Sequence, residues 1–302
     1  MRPRLACLGD LMLDVVVRAD DDVEDGTDVP GSLRFRAGGS AANTARAFAS
    51  LGGAATFIGA VGNDFAGARL VASLRAARVT VHAMKVRGRS GRILALIQPG
   101  GERSFVTDRG VADSLSPRAL KARWMARADA LHVPAYSLLN APLADAAFVA
   151  VSSISGRGGL VSVDLASRRP LAKAGRRRVR ELLDRVHADV LFGNEPEMSV
   201  VAGAGRTAQL LDLAPVVVVK QGSAGCRVMW RGGQSVIATR PIAATDTTGA
   251  GDAFDAGFLF SLIASGYRRG QDLDGALLRR AALAGHRVAG QLLKRPRTEL
   301  VL

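Results

Sequence analysis

Short apolar runs alternate along the chain with longer amphipathic stretches. The short runs predict buried β-strands at residues 5–9, 55–59, 130–133, 160–163, 190–192 and 216–219. The longer stretches predict α-helices at residues 41–51, 65–77, 143–153, 176–186, 253–264 and about 274–293. This alternation is typical of βα units around a mostly parallel sheet, so the sequence predicts an α/β fold.

Two segments interrupt the alternation, at about residues 15–37 and 80–108. The first joins two β-prone runs through an acidic turn, and the second holds three β-prone runs separated by glycine-rich turns. Neither contains a helical period long enough to complete a βα unit, so we predict strands that leave the main sheet as a small lid. No linker, repeat or low-complexity stretch is evident, which favours one domain over residues 1–302 with these two excursions.

The composition is that of a globular protein, with 48% hydrophobic residues in a 302-residue chain that can bury a core without disulfides. The two cysteines, Cys7 and Cys226, have neither metal-binding nor redox spacing, which indicates buried thiols in a reducing compartment. Asp10 and Asp14 interrupt the apolar N-terminal run, and no uninterrupted apolar stretch has the length of a membrane span. We therefore expect a cytoplasmic protein without a membrane partner.

The net charge of +14 is extreme and raises nucleic-acid binding as an alternative. The basic residues are mostly scattered arginines, with one dense run at residues 176–180. Aromatic residues make up only 5% of the chain and are not interleaved in the way that single-strand binding requires. We favour a solvated, arginine-rich surface and expect no nucleic-acid partner. A positive field also suits an anionic cosubstrate such as a nucleoside triphosphate.

The stretch TDTTGAGDAFDAGF, residues 245–258, places three small residues before an acid and an apolar, helix-like run. Gly249, Ala250 and Gly251 have no bulky side chain, so a phosphate could approach their backbone N–H groups at a helix N-terminus, where the helix dipole favours an anion. Asp252 would then stand beside the phosphoryl group and could accept the proton of an attacking hydroxyl. The alternative is that Asp252 caps the helix and the glycines form a tight turn.

A second glycine cluster, GGSAANTA at residues 38–45, also precedes a helix-like run. Gly38 and Gly39 allow close backbone approach, and the Asn43 amide offers both a donor and an acceptor, which suits a polyol. Asp14 lies at the end of the first strand region, and the C-terminal ends of parallel strands line the ligand crevice. The alternative for Asn43 is a helix cap or a buried amide.

The segments GGSAANTA…LGG…IGAVGNDFAG and DTTGAGDAFDAGF resemble the two signatures of the ribokinase (PfkB-type) carbohydrate kinase family, in matching order over essentially the whole chain. The resemblance implies a three-layer, ribokinase-like α/β fold with a small β-strand lid. It also implies ATP-dependent phosphorylation of a hydroxymethyl group on a sugar or related small polyhydroxy substrate, with magnesium. By this resemblance Asp252 is the catalytic base, and Gly249, Ala250 and Gly251 form the anion hole.

The same resemblance implies that Asp14, Gly39 and Asn43 hold the hydroxyls of the substrate. Relatives close to ribokinase carry a lysine where Ser40 stands here, so ribose itself is less favoured as the acceptor. The resemblance is shared with nucleoside kinases, and a nucleoside of the adenosine type is the alternative acceptor.

Two further segments resemble the nucleotide side of the family. In DVLFGNEPEMS, Asn194 and Glu197 match a pair that organises the magnesium–phosphate network, often through water, and the alternative is a capping box. In VVVVKQGSAGC, Gly222 and Gly225 match a turn near the nucleotide phosphates. We expect Lys220 in this segment to reach a phosphate, and the alternatives are a salt bridge or a solvated side chain.

Charged positions carry two more expectations from the resemblance. GERSFVTDRG is similar to a substrate-facing stretch, so Arg109 would pair with an anionic group of the acceptor or, alternatively, with Asp108 or another local acid. The family's monovalent-cation loop, a potassium site, maps onto Asp246 and Thr248, although the C-terminal tail AGQLLKRPRTELVL does not clearly match its second segment. Activation by potassium therefore stays open.

Two other expectations complete the sequence-based picture. A lid sheet offers an edge through which a homodimer could form. The same fold without catalysis would make a sugar or nucleotide sensor, but the acid and the intact glycine turn at residues 249–252 favour an enzyme.

Overall fold

The computed structural model describes residues 2–100, 102–244, 246–295 and 298–301. Thr245 of the C-terminal signature and Gly101 of the predicted lid lie outside these residues. The strands are β1 (Arg4–Leu8), β2 (Met12–Ala19), β3 (Gly31–Gly38), β4 (Ala54–Gly62), β5 (Thr80–Val86), β6 (Arg92–Ile97), β7 (Arg103–Asp108), β8 (Ala130–Pro134), β9 (Leu160–Asp164), β10 (Val190–Asn194), β11 (Val216–Lys220), β12 (Cys226–Trp230) and β13 (Gly233–Ile237). The α-helices are α1 (Ser40–Ser50), α2 (Phe65–Ala76), α3 (Leu143–Ser155), α4 (Arg168–Ala174), α5 (Arg176–Val186), α6 (Glu195–Ala202), α7 (Ala250–Ala264) and α8 (Gly275–Lys294).

The larger of two sheets has nine strands in the order β13-β12-β11-β10-β9-β8-β1-β4-β5. Its strands run parallel from β5 to β11, and β12 and β13 add an antiparallel edge. Alternate side chains of β1 enter two different buried clusters, which therefore lie on opposite faces of this sheet. Leu5 and Cys7 face the cluster that includes α1, α2, α7 and α8, and Ala6 and Leu8 face the cluster of α3 to α6. The predicted α/β fold with three layers is confirmed.

All six predicted strands occur in the large sheet, and all six predicted helices are present with small shifts of their ends. The shift at α7 matters for the site. The sequence predicts a helix from residue 253, whereas α7 begins at Ala250 because only Gly249 takes a left-handed conformation, with a φ of 75°. Gly251 continues the helix, so the small residues and the acid share its first turn.

The smaller sheet has four strands in the order β3-β2-β6-β7 and contains most of both predicted excursions. The prediction is wrong for the first β-prone run of residues 80–108, because β5 pairs with β4 in register from Thr56 with Thr80 to Gly62 with Val86. Strands β4 and β5 form a βαβ unit with α2, the helix between them. The helix of this unit precedes β5, whereas the prediction rested on the absence of a helix within residues 80–108.

The placement of Asp14 also differs from the sequence-based expectation. Strand β1 ends at Leu8, and Asp14 is the third residue of β2, paired with Arg36 of β3 in the small sheet. Asp14 therefore reaches the crevice from the small sheet instead of from a strand end of the large one. The apolar pattern of residues 5–17 runs across both strands, which hid the boundary between them.

Three polar residues end neighbouring parallel strands of the large sheet: Asp164 on β9, Asn194 on β10 and Lys220 on β11. Because the carboxyl ends of parallel strands share one edge, these side chains border one crevice with the N-terminus of α7. Within the part of the chain that is described, no helix combines the length and the apolar character needed to cross a membrane.

Candidate active site

The N-terminus of α7 presents backbone donors at the centre of the site. Gly249 has no side chain with which to cap the helix, and the Ala250 N–H donates to the Thr247 carbonyl over 3.1 Å. The next N–H groups, of Gly251 and Asp252, belong to the first turn, where a helix supplies no backbone acceptor. Together with the helix dipole these groups can bind an anion.

The Asp252 carboxylate is held by helix α1 and not by its own helix. Its Oδ1 accepts a hydrogen bond from Ser40 Oγ at 2.7 Å, and its Oδ2 accepts one from Asn43 Nδ2 at 3.0 Å. Helix capping by Asp252, the alternative from the sequence, is therefore not the contact that its oxygens make. Burial raises the pKa of Asp252 to about 6, against the two hydrogen bonds that lower it. Asp252 is thus mostly ionised at neutral pH and able to accept a proton.

The two adjacent glycines make room for an acidic pocket. A Cβ at Gly38 would lie 2.2 Å from Asp14 Oδ2, and a Cβ at Gly39, which has a φ of 97°, would lie 2.5 Å from the Asp10 carbonyl oxygen. The sequence predicts close backbone approach at these glycines, and the groups that approach are this chain's own. A direct contact of Gly39 with substrate stays a prediction.

Asp14 has an oxygen without a partner. Its Oδ1 is buried and accepts no hydrogen bond from the described residues. Burial, followed by the charges of Asp10 and Asp252, raises the pKa of Asp14 to about 7. A buried oxygen beside the base that lacks a donor is an arrangement that a ligand hydroxyl would satisfy.

Arg109 is occupied by local acids. Its Nε lies 3.1 Å from Asp113 Oδ1 and its Nη1 lies 3.4 Å from Asp10 Oδ2, while its guanidinium stacks 4.9 Å from the Tyr136 ring centroid. The Tyr136 hydroxyl donates to Asp10 at 3.0 Å. The alternative of a local ion pair is therefore the one observed, with Asp113 and Asp10 and not Asp108 as the partners. A contact of Arg109 with the acceptor stays a prediction.

Lys220 forms an ion cluster beside the first turn of α7. Its Nζ lies 3.0 Å from Asp164 Oδ1 and 3.2 Å from Asp255 Oδ2, and a Cβ at Gly251 would lie 3.2 Å from the same Nζ. The salt bridge predicted as the alternative is present. The ammonium group is also close enough to the helix N-terminus to add positive charge there, so a phosphate contact stays a prediction.

The carboxyl groups and the ammonium group of this cluster shift one another's pKa values. Burial alone would lower the pKa of Lys220, but the Asp164 and Asp255 carboxylates more than offset it, and that pKa is raised. Burial and the neighbouring Asp164 carboxylate raise the pKa of Asp255 well above its usual value, against the pull of Lys220. Lys220 is thus the cation that the Asp164 and Asp255 carboxyl groups share.

Asn194 and Glu197 form the capping box at the start of α6. The Glu197 N–H donates to Asn194 Oδ1 and the Asn194 N–H donates to Glu197 Oε2, both at 2.9 Å. Burial, followed by the Asp164 charge, raises the pKa of Glu197 to about 7. The described residues contain no group of three or more His, Cys, Asp or Glu side chains that could enclose a metal ion. Carboxylate and amide oxygens at this edge fit a magnesium ion held through water and phosphate.

The two glycines of the turn after β11 differ in the space around them. Gly222 is exposed and has a φ of 58°, and a Cβ added there would have no neighbouring atom within 4 Å. A Cβ at Gly225 would lie 2.1 Å from the Ile237 carbonyl oxygen, so this glycine is required by the contact between β12 and β13. Their part in nucleotide binding stays a prediction.

The loop before α7 is tied to the small sheet. The Asp246 carboxylate pairs with the Arg36 guanidinium of β3, and its Oδ1 accepts the Thr248 N–H at 2.9 Å. This pairing puts a protein cation where the resemblance implies a monovalent-cation loop.

Several residues of the site were missed in the sequence. Ser40 and Arg46 were not predicted as site residues, because the pattern that identifies this segment consists of its glycines and Asn43. Asp164 follows a buried strand and could have been found by the argument that was applied to Asp14. Asp255 carries no such signal, since it resembles a polar interruption of an apolar helix.

Comparison with known proteins agrees with this geometry. A family model for pfkB family carbohydrate kinases matches residues 2–300. The fructokinase of Klebsiella pneumoniae is 33% identical over 278 residues, which are 88% of this chain and 86% of that protein. The ATP-dependent ribose-1-phosphate kinase of Halopiger xanaduensis is 32% identical over 267 residues, 87% of this chain and 86% of that protein.

A solved structure shows the same fold. The adenosine kinase from Sinorhizobium meliloti matches with a TM-score of 0.80 at 22% identity, covering 98% of this chain and 96% of that one. The predicted ribokinase-like fold is confirmed. The chain belongs to the pfkB family of carbohydrate kinases, phosphotransferases that act on a hydroxyl group of their acceptor.

Proposed function

We propose that this protein transfers the γ-phosphoryl group of ATP to a hydroxymethyl group of a sugar or related small polyhydroxy compound, with Asp252 as the general base. The observation that supports this most is the position of the Asp252 carboxylate. It sits in the first turn of α7, next to backbone donors for an anion, with Ser40 and Asn43 fixing both of its oxygens.

Each part of the proposed reaction is assigned to one group of the site. The unpartnered Asp14 oxygen accepts a hydrogen bond from a hydroxyl of the substrate, which holds the substrate near the base. Asp252 takes the proton of the attacking hydroxyl. The N–H groups of the α7 first turn, including Gly251, stabilise negative charge on the phosphoryl group as it moves.

Magnesium is the divalent ion that we expect with ATP. When bound, it neutralises charge on the nucleotide phosphates. Asn194 and Glu197 would hold it through water. Gly222 and Gly225 would border the nucleotide phosphates on the other side.

The acceptor is tested by a panel. Purified protein is incubated with ATP and magnesium and with neutral sugars including fructose, sugar acids, sugar phosphates including ribose 1-phosphate, and adenosine. ADP release and the mass of the product are then measured. We expect a sugar to be phosphorylated with a kcat/KM on the order of 10⁴ M⁻¹s⁻¹ or more. Turnover of adenosine with every sugar inactive would favour the nucleoside alternative, and ADP release with no acceptor at all would contradict the proposal.

Three further properties belong to this proposal. The Arg36–Asp246 pair favours activity that does not depend on potassium, which is measured by replacing KCl with choline chloride at constant ionic strength. Exposed apolar side chains on the small sheet, Leu33, Leu94 and Phe105, support a homodimer through the lid, which light scattering after gel filtration would detect. The use of ATP is consistent with a cytoplasmic location.

A further inference from the structure

Arg46 of α1 lies behind the base, on the far side of Asn43. One helical turn separates the two residues, and Arg46 Nη1 donates to Asn43 Oδ1 at 3.0 Å and to the Ala37 carbonyl at 3.4 Å. Its side chain is half-buried, and neither contact is an ordinary surface ion pair. These internal contacts indicate that Arg46 does more than add charge to the protein surface.

The contact decides which end of the Asn43 amide faces the base. A guanidinium has only donors, so the amide must turn its oxygen toward Arg46. The NH₂ group then points to Asp252, where Nδ2 donates to Oδ2 at 3.0 Å. A carboxylate requires a donor at this place, because the amide oxygen there would repel it. Arg46 therefore fixes the orientation of the Asn43 amide, and the amide fixes the position of the Asp252 carboxylate.

The charge of Arg46 also acts on two carboxylates. Asp14 and Asp252 each favour the charged form of Arg46, although burial lowers the pKa of Arg46 overall. In return, Arg46 is one of two arginines that lower the pKa of Asp14, the other being Arg36. Two acids beside one another repel, and a shared cation makes it easier to ionise both. Asp252 also faces Asp164, which raises its pKa, and Lys220, which lowers it.

We propose that Arg46 is a positioning residue of the kinase, which holds the Asn43 amide toward Asp252 and supplies the cation shared by Asp14 and Asp252. This inference rests on the proposed role of Asp252 as the base.

The test compares pH profiles of kcat/KM for the full chain, Arg46→Met and Arg46→Lys, with the best acceptor of the panel. Arg46→Met should lower kcat about 10- to 100-fold, the loss expected when one charged hydrogen bond disappears. Its acid limb should move to higher pH by about one unit, since removing the cation makes the base harder to ionise. Arg46→Lys keeps the charge, so its acid limb should stay in place while kcat falls less.

Arg75→Met, on the exposed end of α2, is the matched control and should leave both kcat and the limb unchanged. A double-mutant cycle with Asn43→Ala measures whether Arg46 acts through the amide, and the effect of Arg46→Met on kcat should shrink in the Asn43→Ala background. Circular dichroism melts report folding of every variant.

An Arg46→Met variant that is folded and has an unshifted limb overturns the inference. If Arg46→Met does not fold, Arg46→Lys decides alone, and a kcat equal to that of the unmodified chain or a limb moved to higher pH overturns it. An unmodified chain that phosphorylates no acceptor defeats the proposed function itself, which separates the two failures.

Discussion

Two charged clusters flank the first turn of α7, and they are built differently. The acceptor cluster, Asp14, Ser40, Asn43, Arg46 and Asp252, contains a buried Asp14 oxygen without a donor among the described residues. The lysine cluster, Lys220, Asp164 and Asp255, is closed by ion pairs of 3.0 and 3.2 Å. Buried polar atoms are normally satisfied, so an unpartnered carboxylate oxygen beside the base suits a ligand hydroxyl, whereas a cluster closed by ion pairs suits a structural support.

This difference separates residues that bind or react with the substrate from residues that stabilise the fold. Substitutions in the acceptor cluster should reduce turnover with little loss of stability. Substitutions in the lysine cluster should reduce stability first. Three variants test the division, beginning with the one for which we expect the largest effect.

Asp252→Asn removes the base and keeps the shape of the side chain. We expect kcat to fall by roughly 10³-fold or more, because an amide cannot take the proton of the acceptor hydroxyl. ATP binding, measured by calorimetry, should change little. Asp184→Asn, an exposed acid on α5, is the matched control and should keep full activity. Undiminished turnover by Asp252→Asn would remove the mechanism and favour a base elsewhere.

Lys220→Met breaks the lysine cluster. It leaves the buried Asp164 and Asp255 carboxyls without their cation, and we expect the free energy of unfolding to fall by roughly 3–5 kcal/mol. Urea unfolding followed by circular dichroism measures this loss. Lys85→Met, at an exposed position of β5, should be nearly neutral. If Lys220→Met were as stable as the control and only weaker in ATP binding, Lys220 would belong to the nucleotide site instead.

The sequence predicts the fold and the central residues well for a physical reason. Helix and strand periods repeat over many residues, and glycine-rich turns before helices carry their own chemistry, so the local pattern makes Asp252 and Asn43 candidates. Their roles came from the family resemblance. The sequence does not show which side chains face one another in the folded chain. Nothing local to Asp255 shows that it faces Lys220, 35 residues away. Arg46 likewise resembles a surface arginine until the fold brings Asp14 and Asp252 beside it. The β5 error has the same origin, since strand pairing is a long-range property.

Asp14→Asn tests the acceptor cluster, because this substitution should raise stability and lower turnover. With no ligand, burial raises the pKa of Asp14 from 3.8 to about 7, so the folded state binds this proton more tightly than the unfolded state does. The resulting contribution to stability is complete below pH 3.8 and is lost as pH rises through about 7. The neutral amide avoids this loss. The variant should therefore be more stable than the unmodified chain at pH 8, by roughly 1–3 kcal/mol, and by about a third of that amount at pH 5, because the loss begins at pH 3.8.

The same substitution should lower kcat/KM for the acceptor by about 10- to 100-fold, since it weakens a charged hydrogen bond to a hydroxyl. Urea unfolding at the two pH values and the acceptor assay measure the two effects, with Asp20→Asn, exposed just beyond β2, as the control. A gain in stability together with a loss of turnover is typical of a residue kept for function at the expense of the fold. A variant less stable than the unmodified chain at pH 8 would instead place Asp14 with the lysine cluster, as a support whose charge the fold requires.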